Sequence, residues 1–119
     1  MPHILFVEDN EYLRKIVPYT LAQDNIDTRS VATASEALAA LREERFDMVV
    51  TDINMPGMNG LELISKLKQM PTYQDTPILC LTTEIDPQTL ADAKQRGAAD
   101  VLLKPYSPQE LLGAIQQHL

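Results

Sequence analysis

At 119 residues with 45% hydrophobic content, the chain holds enough apolar material for one core and too little for two. Ten basic against seventeen acidic residues leave a formal charge of −7, which opposes long-range attraction to nucleic acid or anionic membranes, and no basic stripe or RNA-reading aromatic motif offsets it. No run approaches the roughly 20 apolar residues that span a bilayer, and the start Met1-Pro2-His3-Ile4 has neither a basic region nor a cleavage site, so the expectation is one cytoplasmic domain over 1–119, without membrane insertion or direct nucleic-acid contact.

The first predicted element is the apolar run Ile4-Leu5-Phe6-Val7, a strand buried on both faces that ends at Glu8-Asp9. Asn10 caps a helix whose stripe is Leu13, Ile16, Val17 and Leu21, and Pro18 inside it predicts a kink or a local distortion. Asp27 to Val31 is a weaker, polar strand suited to a sheet edge, and Thr33 to Glu36 is a capping box for the second helix. Met48 to Asp52 is the third strand, stopped by the turn formers Pro56, Gly57, Asn59 and Gly60. Leu61, Leu63, Ile64 and Leu67 mark a third helix, halted by Pro71. Ile78 to Leu81 is an apolar strand ending at Thr82-Thr83. Its Cys80 is the only cysteine, which excludes an internal disulfide and reads as a buried small residue, with a redox role as the alternative. Asp86-Pro87 opens a helix that Gly97 closes, Val101 to Leu103 is the last strand, and Ser107-Pro108-Gln109-Glu110 caps the final helix.

Strand and helix alternate five times over with short connections, which implies a doubly wound α/β fold, a parallel sheet covered by helices on both faces. Parallel strands point one way, so their carboxyl ends share one edge, where ligands of such sheets bind. That edge receives Glu8-Asp9, Asp52, Thr82-Thr83 and Lys104. Clustered carboxylates raise one another's pKa unless a cation sits among them, and oxygen donors without cysteine or histidine favour a hard ion. The expected ion is Mg²⁺, with Mn²⁺ as the alternative. Carboxylate, metal, ammonium and hydroxyl together are the parts for moving a phosphoryl group onto Asp52. Taken singly, Lys104 could simply neutralise Asp52, Glu8-Asp9 could cap a helix, and Thr82 could cap a loop.

The segments Val7-Glu8-Asp9-Asn10, Val50 through Gly60, Leu81-Thr82 and Leu103-Lys104-Pro105 resemble, in order and separation, the receiver domain of two-component response regulators. The resemblance runs over essentially the whole chain. It implies a flavodoxin-like five-stranded sheet of order 2-1-3-4-5 with five helices. It also implies that Asp52 accepts a phosphoryl group from a phosphohistidine on a sensor histidine kinase or phosphotransfer protein. Asp9 and Asp52 would ligate Mg²⁺ directly, the backbone carbonyl of Asn54 would be a third ligand, and Glu8 would act largely through water. Thr82 would bond one phosphoryl oxygen and Lys104 another, and the Lys104–Pro105 bond would be cis.

Two positions depart from the family. Val101 stands where many receivers place an inward-swinging aromatic, so either Thr82 couples to a smaller repacking or Tyr106 takes part. Thr83 stands where a small residue is usual and would narrow access. Asn54 and Glu84 flank the expected path of the hydrolytic water and predict a short-lived phosphoryl state. Output is expected through a downstream protein effector bound to the last two helices and the strand between them, including Ala98, Ala99, Val101 and Tyr106. The expectation is a stand-alone receiver, or a piece of a longer regulator.

Three other readings share part of this pattern. An aspartate-nucleophile phosphohydrolase would use the same carboxylate, ion and lysine, but such enzymes commonly carry a second aspartate where Asn54 stands, and no cap segment is evident. A flavin or nucleotide module lacks its glycine-rich loop here. A receiver serving as a constitutive interaction module would not need the complete acid, lysine and threonine set.

Overall fold

The three apolar runs become the centre of a parallel sheet, because only a strand covered on both faces can bury every side chain it carries. The computed structural model describes residues 1–83 and 86–119. Along the chain it contains β1 (His3–Val7), α1 (Glu11–Ala22), β2 (Asp27–Val31), α2 (Ala34–Glu43), β3 (Met48–Asp52), α3 (Gly60–Lys68), β4 (Ile78–Thr82), α4 (Pro87–Arg96), β5 (Asp100–Leu103) and α5 (Pro108–His118). The strands are all parallel, in the order β2-β1-β3-β4-β5. β3 and β4 are buried along their whole length, whereas β2 and β5, at the two edges, are only partly covered. Among the described residues no helix is long and apolar enough to cross a membrane.

Alternate strand residues feed two apolar layers. Leu5, Val7, Val49 and Ile78 pack with α2, α3 and Ala93 of α4, while Ile4, Phe6, Met48, Val50 and Leu79 pack with α1 and α5. Cys80 lies in the first layer, and burial pushes its thiol up to about 12, so the structure makes it a packing residue and no nucleophile. From β1 the chain moves to one side to form β2, then crosses to the other to form β3. The reversal leaves a crevice beyond the ends of β1 and β3 that no crossover helix covers.

Local chemistry sets the helix ends. Asn10, Thr33, Asn59, Asp86 and Ser107 each accept a backbone N–H with the side chain. The capping box at Ser107 is complete, but the one at Thr33 is not: Glu36 reaches back to the N–H of Ala32 and to the Thr33 hydroxyl. Pro18 does not break its helix; α1 runs as one helix from Glu11 to Ala22. Proline removes the N–H that would bond the Arg14 carbonyl. The Ser30 hydroxyl of β2 donates to that carbonyl instead, at 3.0 Å. The stripe on α1 is also narrower than predicted: Val17 and Leu21 are buried, while Ile16 is 37% exposed and flanked by exposed Tyr12 and Tyr19.

Ser30 and Pro18 are therefore coupled. Ser30→Ala should lower stability by about 1 kcal/mol, the cost of leaving a half-buried carbonyl unpaired, and by much less in a Pro18→Ala background, where residue 18 regains its N–H. Urea unfolding of the two single variants and the double variant measures that coupling.

Candidate functional site

The site is built at the crevice from backbone fixed on three strands. Glu8 extends the pairing of β1 by one step, its N–H donating to the Val31 carbonyl at 3.0 Å, and its side chain is only 1% exposed. The carboxylate accepts the Asn10 N–H at 3.1 Å. Arg14 then clamps the turn, one guanidinium nitrogen donating to the carbonyls of Glu8 at 3.0 Å and Asp9 at 2.8 Å. The Asp9 side chain is left exposed.

Asp52 ends β3 and is 3% exposed. The buried Thr51 hydroxyl donates to the Asp52 carbonyl at 3.0 Å, and the Ile53 N–H donates to Leu81 at 2.9 Å. Gly60 is more than a turn residue. It begins α3, its N–H donates to the Ile53 carbonyl, and a Cβ there would lie 2.1 Å from the Asp52 carbonyl oxygen. Only glycine lets α3 start so close to the strand.

From β5 comes Lys104, whose N–H donates to the Thr82 carbonyl at 2.7 Å and whose bond to Pro105 is cis. Its ammonium lies 2.7 Å from Asp52 Oδ1 and 2.9 Å from Glu8 Oε1. Asp9, Asp52, Asn54, Thr82, Thr83 and Lys104 border one cavity of about 110 Å³.

One ammonium between two buried carboxylates leaves a surplus of negative charge. Burial, reinforced by the Glu8 contact and only partly offset by Lys104, pushes Asp52 up to about 8. Burial also penalises charge on Glu8, but its contacts with Asp52, Lys104 and the Asn10 N–H outweigh that, and its carboxyl is held below the usual range. Of the metal-free pair, Asp52 is therefore the carboxyl that takes up a proton more readily. Burial disfavours the charged form of Lys104 as well, yet its two carboxylate partners raise its pKa on balance.

Glu8, Asp9 and Asp52 each offer a carboxylate oxygen, and these lie within 4.8 Å of one another. This all-oxygen, anion-rich set fits a hard divalent ion of the Mg²⁺ type. Such an ion, when bound, supplies the positive charge that one ammonium between these carboxylates leaves wanting.

The remaining predicted residues are placed unevenly. Thr83 is exposed at the cavity, and Glu84 lies outside the described residues. Ala99 is exposed and Val101 half-buried, but Ala98 is 8% exposed and packs in the core, so its side chain cannot contribute to an outward surface. Tyr106 packs its ring against the α1/α5 layer, and its hydroxyl is buried without a hydrogen-bond partner among the described residues. Burial pushes that hydroxyl up to about 12. Arg14 and Thr51 were not singled out from sequence. A cation one turn beyond an acidic pair, and a hydroxyl inside an apolar strand, were the available signals.

Because Asp52 titrates near 8 in the fold against 3.8 ordinarily, its neutral form contributes stability that is full below about pH 4 and is lost as pH rises to about 8. In chelator, Asp52→Asn should therefore be more stable than the parent, by a margin that grows across that window to the order of 2 kcal/mol and then levels off. Urea unfolding at several pH values tests this. A flat margin would mean that Asp52 is ionised in the metal-free fold.

The comparisons with known proteins agree with this geometry. Residues 4–116 match the family model for the response regulator receiver domain. The response regulator protein FleR of Pseudomonas aeruginosa is 34% identical over 115 residues, covering 97% of this chain and 24% of FleR. The DNA-binding response regulator MtrA of Mycolicibacterium smegmatis is 33% identical over 116 residues, covering 98% of this chain and 50% of MtrA. The chain thus spans a quarter to a half of these relatives. The chemotaxis response regulator CheY4 of Vibrio cholerae superposes with a TM-score of 0.96 at 37% identity, covering 100% of this chain and 99% of that one. Strand order, acidic crevice and sequence similarity converge along nearly the whole chain, which belongs to the response regulator receiver domain family.

Proposed function

We propose that the chain is a Mg²⁺-dependent phosphoacceptor switch with Asp52 as the acceptor. The observation that carries the reading is the meeting of Asp52, Lys104, Thr82 and Asp9, delivered by four strands, around one small cavity. Receiver domains interact with histidine kinases and with downstream effectors, and a sensor kinase or phosphotransfer protein fits here as donor. An Asp52 oxygen attacks phosphorus, the bond from phosphorus to the donor's imidazole nitrogen breaks, and the released imidazole takes up a proton. Lys104 follows the charge from the carboxylate to a phosphoryl oxygen, and Thr82 donates its hydroxyl to another. Asp9, Asp52 and the Asn54 carbonyl hold the ion, with Glu8 as a buried partner of Lys104 and an indirect ligand. A cytoplasmic location fits this chemistry.

Cavity size argues against the phosphohydrolase reading. Sites that enclose an organic substrate run to roughly 300–1,000 Å³, and this one is about 110 Å³. It suits a phosphoryl group presented from outside. The output surface is the exposed part of α4, β5 and α5, with Ala99 and Val101, while Tyr106 contributes from beneath it.

Incubation with Mg²⁺ and acetyl phosphate should add one acid-stable, base-labile phosphoryl group per chain, seen by intact mass, and Asp52→Asn should abolish it. No incorporation from several donors would exclude the switch, and steady release of phosphate from organic esters would favour the hydrolase.

The lifetime of that group tests the residues at the rim. Asn54 orients the attacking water and Thr83 restricts it, so Asn54→Ala should lengthen the half-life and Thr83→Ala should shorten it. Each change should be about tenfold, corresponding to ~1.4 kcal/mol in the barrier, measured by phosphate release after donor removal. The parent should not keep its label for many hours in Mg²⁺.

A further inference from the structure

Thr82 lines two cavities. One is the phosphoacceptor cavity, and the other, of about 230 Å³, lies between α4 and β5. Leu90, Val101 and Leu103 give the second cavity apolar walls. Leu103, on its lining, is 44% exposed and so brings the cavity to the surface. An apolar cavity of about 150 Å³ takes up a benzene ring, so the space suffices for one aromatic side chain. It is small for an independent metabolite, whose pockets run to roughly 300 Å³ or more with several convergent polar groups.

Charge narrows the occupant. Asp100 lines the cavity and its carboxylate lies 3.1 Å from the His118 ring, while Asp92, beside the lining residue Ala91, pairs with Arg96 at 2.8 Å. Lys94 also lines the cavity and has no carboxylate partner among the described residues. Lys94 is thus the cation at the lip of an apolar hole, placed to meet a carboxylate.

We propose that this cavity is a socket for a partner polypeptide that inserts one aromatic side chain and sets a neighbouring carboxylate on Lys94. The socket stands on its own geometry. Its regulation rests on the phosphoacceptor reading: Thr82 is 2% exposed, and its hydroxyl and methyl share one carbon. Turning the hydroxyl to a phosphoryl oxygen therefore changes the group presented to the second cavity. Occupancy of the first cavity alters the wall of the other.

The test is a titration of isotope-labelled protein with the capped tripeptide acetyl-Glu-Phe-Glu-amide, followed by amide NMR shifts. It is run in Mg²⁺ with and without beryllofluoride as a phosphoryl mimic, and with Glu-Ala-Glu as control. Shifts should concentrate at residues 90–94 and 101–103, be lost with the alanine peptide, and weaken about threefold in Lys94→Glu. Val101→Phe, which fills the cavity, should abolish them; Lys94→Glu, a surface change, decides the matter if that variant does not fold. Absent shifts, or equal binding of the two peptides, would overturn the socket. Beryllofluoride should change the peptide affinity by about threefold or more. Equal affinity with the mimic bound at Asp52 would overturn the coupling alone, whereas failure of the mimic to bind would count against the phosphoacceptor reading and leave the socket to be judged by the first titration.

Discussion

Lys104 sets one ammonium within 2.9 Å of two nearly buried carboxylates that arrive from different strands. Without it, Glu8 and Asp52 would be like charges in a site with little water, an arrangement that costs several kcal/mol per unpaired ion. To deliver it, β5 must lie beyond β4 and end level with β1 and β3, so that the long stem of Lys104 reaches across Thr82. The strand order, the carboxyl-end alignment and the close start of α3 at Gly60 all serve that contact. Replacing such a cluster by apolar residues generally stabilises a fold. Its presence marks a place where stability is given up for chemistry.

The groups surrounding the cluster act mainly on backbone. Arg14 holds the carbonyls of Glu8 and Asp9, the Thr51 hydroxyl holds that of Asp52, and the Lys104 N–H holds that of Thr82. Apart from the Asn10 N–H on Glu8, the carboxylate contacts described above are with Lys104 and between the carboxyls themselves. That division suits a site whose charged atoms must change partners while their anchoring chain stays still. A proton on Asp52, a divalent ion and a phosphoryl group with Lys104 are three ways to balance the same charge in the same frame.

Much of this was legible beforehand because its physics is local. Apolar runs announce strands buried on both faces, and a cap residue three positions before a satisfied N–H announces a helix. Alternation of the two dictates parallel pairing, and parallel pairing gathers Glu8, Asp9, Asp52, Thr82 and Lys104 at one edge. What was not legible has a common source in contacts between distant parts of the chain. Pro18 takes a backbone bond from α1, and Ser30 of β2, far along the chain, satisfies the carbonyl it frees. Ala98 looked available beside β5, but it packs into the core. Tyr73, which no sequence pattern singled out, is 2% exposed, its hydroxyl donating to the carbonyls of Leu41 and Glu44.

By itself the sequence determined the element order, the helix caps, the parallel sheet and the identity of the acids, hydroxyl and lysine at its carboxyl edge. Periodicity and capping act over a few residues, and the handedness of strand crossovers leaves few ways to connect them. Only the tertiary structure decided which oxygen meets which ammonium, that Glu8 is buried while Asp9 is exposed, and that Thr82 borders two cavities. Those outcomes depend on distances between side chains far apart in the chain, and on the space left once the layers have packed.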